Sequence, residues 1–255
     1  MILYKPLMFA HERHERILAI IEKRRRAGAA ELQAATGASA ATLRRDLDFL
    51  EGQDLVVRIH GAVLHPSVAA SEPSLLQKSH SAVEAKRKMA SVAAGLVPDG
   101  ATVFVDSGTT CLEAARLLRV RPDLTLITNS LPVIAGHEQF RAKLIVIGGE
   151  RRALSGALVG NLAAAGLTGI KADIALIGAS GLDPVSGPGT TELLERDIKA
   201  SWIRNARRTV LLCDAGKWAS ASAMGFAKWA DISDFATDRK PPAKFRPKTT
   251  KIHIS

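Results

Sequence analysis

The chain has 255 residues, 47% hydrophobic and only 4% aromatic. That is enough for a small plus a larger domain, with core volume drawn mainly from Leu, Ile, Val and Ala. Cys111 and Cys213 form no CxxC pattern, which excludes a disulfide framework or zinc ribbon and fits a reduced, cytoplasmic protein. The net charge of +10 suggests an anionic partner, yet residues 1–65 carry ten Lys/Arg against eight Asp/Glu, so local placement is more informative than the total.

The stretch Met1–Ala10 is too short an apolar run for a signal peptide. The longest uncharged run, Ala153–Ile170, is rich in Gly, Ala, Ser and Thr and lacks the apolar density of a membrane span. No membrane partner is expected.

In chain order, Glu12–Arg26 carries Ile17, Leu18, Ile20 and Ile21 as a helical stripe with a basic end, stopped by Gly28. Ala29–Thr36 is a second short helix, Gly37 suits a left-handed cap, and Ser39 is a good N-cap for a third helix. There Leu43, Leu47 and Leu50 form the buried face. The opposite face carries Ala41, Arg45 and Asp48, flanked by Thr42 and Arg44. After Gly52, Leu55–Ile59 reads as a strand, His60-Gly61 as a turn and Ala62–Leu64 as the return. A short helix with small residues at its start and adjacent arginines, followed by a β-ribbon, is what a winged helix-turn-helix presents to a DNA groove. The candidate DNA-binding residues are Ser39, Ala41, Thr42, Arg44, Arg45, Asp48, Arg58 and His60.

Residues 66–82, with two prolines and no clean period, are expected to be a linker between a DNA-binding domain at 1–65 and an effector domain at 83–239. Strands are predicted at Thr102–Asp106, Leu124–Thr128, Leu144–Gly148, Asp173–Gly178, Thr209–Asp214 and Phe235–Asp238. Helices are predicted at Val83–Val97, Cys111–Leu118, Leu131–His137, Leu162–Leu167 and Glu192–Asn205. Near-continuous apolar strands alternating with helices imply an α/β domain, a mostly parallel sheet covered on both faces. Residues 240–255 form a basic tail, with an edge strand at Lys251–Ile254.

Ligands of such sheets sit beyond the C-terminal strand ends. There Asp106-Ser107-Gly108-Thr109-Thr110 opens a helix with two hydroxyls and free amides, suited to a phosphate or carboxylate. Thr128-Asn129-Ser130 and Gly148-Gly149-Glu150 follow the next two strands, and Lys199 and Lys217 can supply positive charge. The candidate effector residues are Asp106, Ser107, Gly108, Thr109, Thr110, Thr128, Asn129, Ser130, Gly149, Lys199 and Lys217. His11, His14 and Glu15 lie within one helical turn but read as a solvated helix end, and Cys111 and Cys213 read as packed core; no metal, cofactor or catalytic residue is expected.

The motifs Thr42-Leu43-Arg44-Arg45-Asp46-Leu47, Leu50-Glu51 and Arg58-Ile59-His60-Gly61-Ala62, then Asp106–Thr110, Thr128–Ser130, Gly148-Gly149, Ile177–Gly181 and Asp214-Ala215-Gly216-Lys217, occur in this order. Together they resemble the DeoR family of bacterial repressors of sugar metabolism over nearly the whole chain. The resemblance implies an effector domain related to sugar-phosphate isomerases, binding a phosphorylated sugar. Two departures stand out: Ala62 replaces the family's usual second glycine, and Gly216 its usual serine.

The leading expectation is therefore a homo-oligomeric repressor of a carbohydrate operon, released from operator DNA by a phosphorylated sugar. A sugar-phosphate isomerase or deaminase would need a poised carboxylate as general base, and Ile177–Gly181 offers none. An architectural DNA binder would fit the basic tail but leaves the pocketed domain without a role.

Overall fold

The computed structural model describes residues 9–24, 26–53, 55–59, 62–66, 74–218, 224–245 and 249–255. The chain divides into two compact units, 1–73 and 74–255.

The first unit runs α1 (Ala10–Arg24), β1 (Arg26–Gly28), α2 (Ala29–Thr36), α3 (Ala40–Gly52), β2 (Val57–Ile59) and β3 (Ala62–Leu64). Ile17, Ile21, Leu32, Leu43, Leu47, Leu50, Val56 and Val63 pack into one core, so the leucine stripe of α3 is buried as its spacing requires. The turn into α3 needs Gly37, whose φ of 68° is left-handed and whose amide closes α2 on the Gln33 carbonyl at 2.9 Å. One expectation is corrected. The first helix does not run to Arg26: the residues from Arg26 to Gly28 pair antiparallel with Ala62–Leu64, giving the wing three strands in the order β1-β3-β2. The expected His60-Gly61 turn lies outside the described residues.

The second unit begins with α4 (Leu75–His80), a helix inside the segment expected to be linker. It continues with α5 (Val83–Gly95), β4 (Thr102–Val105), α6 (Thr109–Leu118), β5 (Thr125–Thr128), α7 (Leu131–Ile134) and β6 (Lys143–Val146). A hairpin of β7 (Glu150–Arg151) and β8 (Leu158–Val159) leads to α8 (Asn161–Gly166) and β9 (Ala172–Gly178). Then come β10 (Gly181–Asp183), β11 (Gly187–Thr190), α9 (Leu193–Asn205), β12 (Ala206–Leu212), β13 (Met224–Gly225), β14 (Asp234–Thr237) and β15 (Lys251–Ile254).

Seven of these strands form one sheet in the order β15-β14-β12-β9-β4-β5-β6, every neighbour pair parallel. Alternate side chains feed two cores. Phe104, Ala175, Ile177 and Leu211 pack with Trp202 and Ile198 of α9; Val103, Val105, Ile174, Leu176 and Val210 pack with Ala90, Ala93, Ala114 and Leu118 of α5 and α6. Both faces are thus covered, and the strands read as continuous apolar runs for that reason. From β4 the chain winds outward through β5 and β6, then returns to the other side of β4 to lay down β9, β12 and β14. The order reverses between β4 and β9, and the crevice beyond the C-terminal ends of those two strands is where a sheet of this kind opens a ligand site. Three further strands, β10-β11-β13, form a small antiparallel sheet that the sequence reading missed.

Candidate DNA interface and effector pocket

On α3, Ser39 caps the helix by accepting from the Thr42 amide at 3.2 Å, and its hydroxyl meets that of Thr42 at 2.9 Å. Ser39, Ala41, Arg44, Arg45 and Asp48 are exposed, and Thr42 is half-buried. Among the described residues neither Arg44 nor Arg45 has an ion-pair partner, and both are exposed. Arg58, on β2, pairs with Asp48, and its amide donates to Glu51 Oε1 at 3.0 Å. His60 lies outside the described residues.

Asp46 is the functional neighbour that hydrophobic patterning passed over. It is buried on the leucine face of α3 and accepts from Arg13 Nε and Nη2 at 2.8 and 2.9 Å and from His14 at 3.0 Å. Burial alone would raise its pKa, but the Arg13 and His14 hydrogen bonds overcome that and hold it below the ordinary carboxylate value. The triad fastens α3 to α1. His14 is thereby committed to Asp46 and stacks on Phe49 at 4.9 Å between ring centroids. Among the described residues no cluster of His, Cys, Asp or Glu is arranged to hold a metal.

In the second unit a cavity of about 50 Å³ occupies the switch point. Ser107, Gly108 and Thr110 line it from the β4–α6 turn, Gly178, Ala179 and Ser180 from the end of β9, and Lys199 and Lys217 from beyond. Asp106 lies buried beneath, accepting the Gly178 amide at 2.9 Å and pairing with Lys199. Lys199 also donates to the Gly178 carbonyl at 3.1 Å. Burial pulls its pKa down, but Asp106 and Glu195 outweigh this, so the net shift is upward and the ammonium stays charged. Lys217 donates to the Ala179 carbonyl at 2.9 Å.

The remaining predicted effector residues do not line this cavity. Thr109 faces a separate hollow of about 240 Å³ beside Lys86, Arg87 and Arg116. Thr128 donates to the Val105 carbonyl at 2.7 Å, and Ser130 caps α7. Asn129 bridges to Leu158 through its side-chain amide (2.9 Å) and its own carbonyl (2.7 Å). Gly149, at φ 150°, lets the hairpin close; a Cβ there would stand 2.5 Å from the Val159 carbonyl oxygen. Asn129, Ser130 and Gly149 shape the hairpin wall and Thr128 ties β5 to β4; none of the four lines the cavity. Cys111 and Cys213 are buried, and burial pushes both thiols up, Cys213 to about 12, which makes them inert at neutral pH.

Two family models match the chain: the DeoR-like helix-turn-helix domain over residues 13–68 and the DeoR C-terminal sensor domain over residues 81–239. The chain belongs to the DeoR family. The HTH-type transcriptional regulator GlpR of Haloferax volcanii is 32% identical over 91% of this chain and 91% of its own length. The glycerol-3-phosphate regulon repressor of Escherichia coli is 28% identical over 95% and 96%. Among solved structures, ribose 5-phosphate isomerase A of Methanocaldococcus jannaschii covers 55% of this chain and 56% of its own at 22% identity, with a TM-score of 0.38, too loose to carry an argument about chemistry.

As a DeoR-family regulator the chain accommodates both of its departures. Ala62 is buried in β3 opposite Gly28, whose missing side chain faces the alanine methyl across the ladder. At Gly216 the amide donates to Asp214 Oδ1 at 3.1 Å and Lys217 still reaches the cavity. The DeoR-family motifs did not reveal four further residues around the pocket: Lys78 from α4, Ser155 from the hairpin, Glu195 from α9, and Arg152 behind it. Glu195 is saturated, accepting from Ser155 Oγ, from Arg152 Nη1 at 3.1 Å and from Thr190 Oγ1 at 3.1 Å.

Proposed function

We propose that this DeoR-family regulator is a repressor of a carbohydrate operon whose hold on the operator is released by a phosphorylated sugar. The observation that carries the reading is the lining of the switch-point cavity, where a Ser-Gly-Thr helix start meets Lys78, Lys199 and Lys217. Backbone amides at the start of α6 and three ammonium groups suit a phosphoryl dianion. The E. coli relative is named for a phosphorylated three-carbon regulon, which supports a ligand of this class. On the DNA side, Arg44 and Arg45 make the groove contacts, Arg58 and His60 touch the backbone beside the wing, and symmetric oligomers read repeated half-sites. A DNA partner places its work in the cytoplasm.

The enzyme reading loses support from the engagement of Asp106 and Glu195, the carboxylates beneath and within the cavity wall. Asp106 is held by Lys199 and the Gly178 amide, and Glu195 by three donors, so neither is poised to abstract a proton from carbon.

The test is fluorescence anisotropy on duplexes from the gene's own upstream region, with glycerol 3-phosphate, ribose 5-phosphate, glucose 6-phosphate and fructose 6-phosphate added in turn. One of them should weaken binding by roughly 5- to 150-fold, the range that a coupling of about 1–3 kcal/mol gives. Arg45→Ala should cost about 1–3 kcal/mol of operator affinity if it reads a base. NMR of the same sugar phosphates incubated with the protein should show no turnover; conversion of any of them would replace this reading with the enzyme one.

A further inference from the structure

Helix α4 is only six residues long and buries none of them fully, yet it contributes Leu75 and Lys78 to the pocket wall. So short a helix does not persist in water by itself. Its ends hold it. At the start, Ser74 and Gln77 form a reciprocal capping box, 2.8 Å from the Ser74 amide to Gln77 Oε1 and 3.3 Å from the Gln77 amide to Ser74 Oγ. The Leu75 amide donates to the Leu154 carbonyl at 2.8 Å. At the far end, the buried ammonium of Lys86 donates to the Lys78 carbonyl and, at 2.7 Å, to the Ser81 carbonyl, a cation placed on a helix C-terminus.

That latch is under electrostatic load. Burial chiefly, then the charge of Lys217, opposed by Asp214, with Lys78 adding a further push, brings the Lys86 pKa below its ordinary value. A phosphoryl dianion in the cavity would stand against Lys78 and Lys217, the two cations that load the latch.

We infer that α4 is the strap through which the pocket reports its occupancy, with Lys78 as a ligand-binding residue and Lys86 as the latch that keeps the strap docked. The inference rests on the phosphorylated-sugar reading of the cavity. A ligand shifts a conformational equilibrium only by its differential affinity, and the Lys78 contact exists only while α4 is docked. Ten residues separate Leu64, the end of the wing, from Leu75 in the sequence. Docking α4 therefore fixes the anchor of the chain that leads to the DNA-binding unit.

Hydrogen exchange of the full chain, with inorganic phosphate as probe, tests this. In the wild type, phosphate should slow exchange several-fold both at Ser107–Thr110 and at Gln77–His80. Lys78→Gln should keep the first protection and lose the second. Lys86→Met should leave α4 exchanging fast with or without phosphate. Gln77→Ala, at an exposed position where folding is not at risk, should raise α4 exchange while leaving the sheet unchanged. Protection at Ser107–Thr110 with none on α4 would overturn the strap and leave the pocket reading standing. Protection at neither would overturn both.

Discussion

The carboxylate of Asp48 on the recognition helix is joined to the guanidinium of Arg58 on the wing strand. Two residues read from the sequence as separate DNA contacts are one unit in the free protein. Glu51 adds to it by accepting the Arg58 amide, so helix and wing are cross-braced on the exposed side. For Arg58 to neutralise a phosphate it must exchange Asp48 for DNA, and Asp48 then remains as a negative charge beside the backbone.

Asp48→Asn should therefore strengthen binding to random duplex more than to the operator. Freeing one cation steepens the slope of log K against log salt by about 0.9. Fold stability should change by less than about 1 kcal/mol, since both partners keep access to solvent. Salt titrations on operator and scrambled duplexes give both slopes; identical slopes for wild type and variant would show that Asp48 does not hold Arg58 back from phosphate in the complex.

Thr109 and Thr110, adjacent at the start of α6, line different hollows. Thr110 faces the switch-point cavity with Ser107 and Gly108, and Thr109 faces the hollow beside Lys86. Thr110→Ala should lose most of the response to the releasing sugar phosphate while operator affinity in its absence stays intact. Thr109→Ala should respond like wild type. Anisotropy titrations of both variants decide it, and the reverse pattern would move the ligand to the other side of the helix.

Much of the fold was legible in the chain, and all but one of the failures share a cause. The leucine stripe of α3, its cap at Ser39 and the alternation of strand and helix are local signals, and each is found where its period puts it. Arg26–Gly28 carries no strand signal because three residues become a strand only by pairing with Ala62–Leu64, more than thirty positions away. Glu195 and Arg152 meet for the same reason: a helix and a hairpin remote in sequence close on one cavity. Helix α4 is different. Ser74-Leu75-Leu76-Gln77 is a capping-box pattern and was readable, but the prolines and serines around it masked the signal.

Asp46 sets an acid limit for the DNA-binding unit. Its folded pKa is depressed because Arg13 and His14 outweigh burial. The stability it contributes is complete above the unfolded value, near 3.9, and is lost as pH falls through the lower folded value. Asp46→Ala should cost about 3 kcal/mol at pH 7, the low end for breaking a buried pair, because Arg13 keeps some access to solvent. Urea melts of wild type and variant should converge as the pH drops below 4. A constant gap down to acid would mean that Asp46 acts by packing and not by charge.

A second depressed carboxylate holds the last strand. Asp234 is buried at the start of β14, where burial raises its pKa but Arg208 and His253 bring it below the ordinary value. Arg208 grips it with two bonds of 2.6 and 2.9 Å, and His253 Nε2 donates at 2.8 Å from β15, the edge of the sheet. An edge strand of four residues has ladder bonds on one side only, so the His253 contact adds to the β14 ladder and to the packing of Ile252 in fastening it. His253→Ala should cost about 1.5 kcal/mol locally, since Asp234 keeps Arg208. Exchange at Lys251–Ile254 should then quicken roughly tenfold, with Thr102–Val105 at the sheet centre unchanged. The carboxylate's contribution is present above its unfolded pKa and fades as pH falls through the folded one, so wild type and variant should approach each other in acid. If exchange in the last strand is the same in both proteins at pH 7, the parallel ladder alone secures that edge and the histidine is incidental to it.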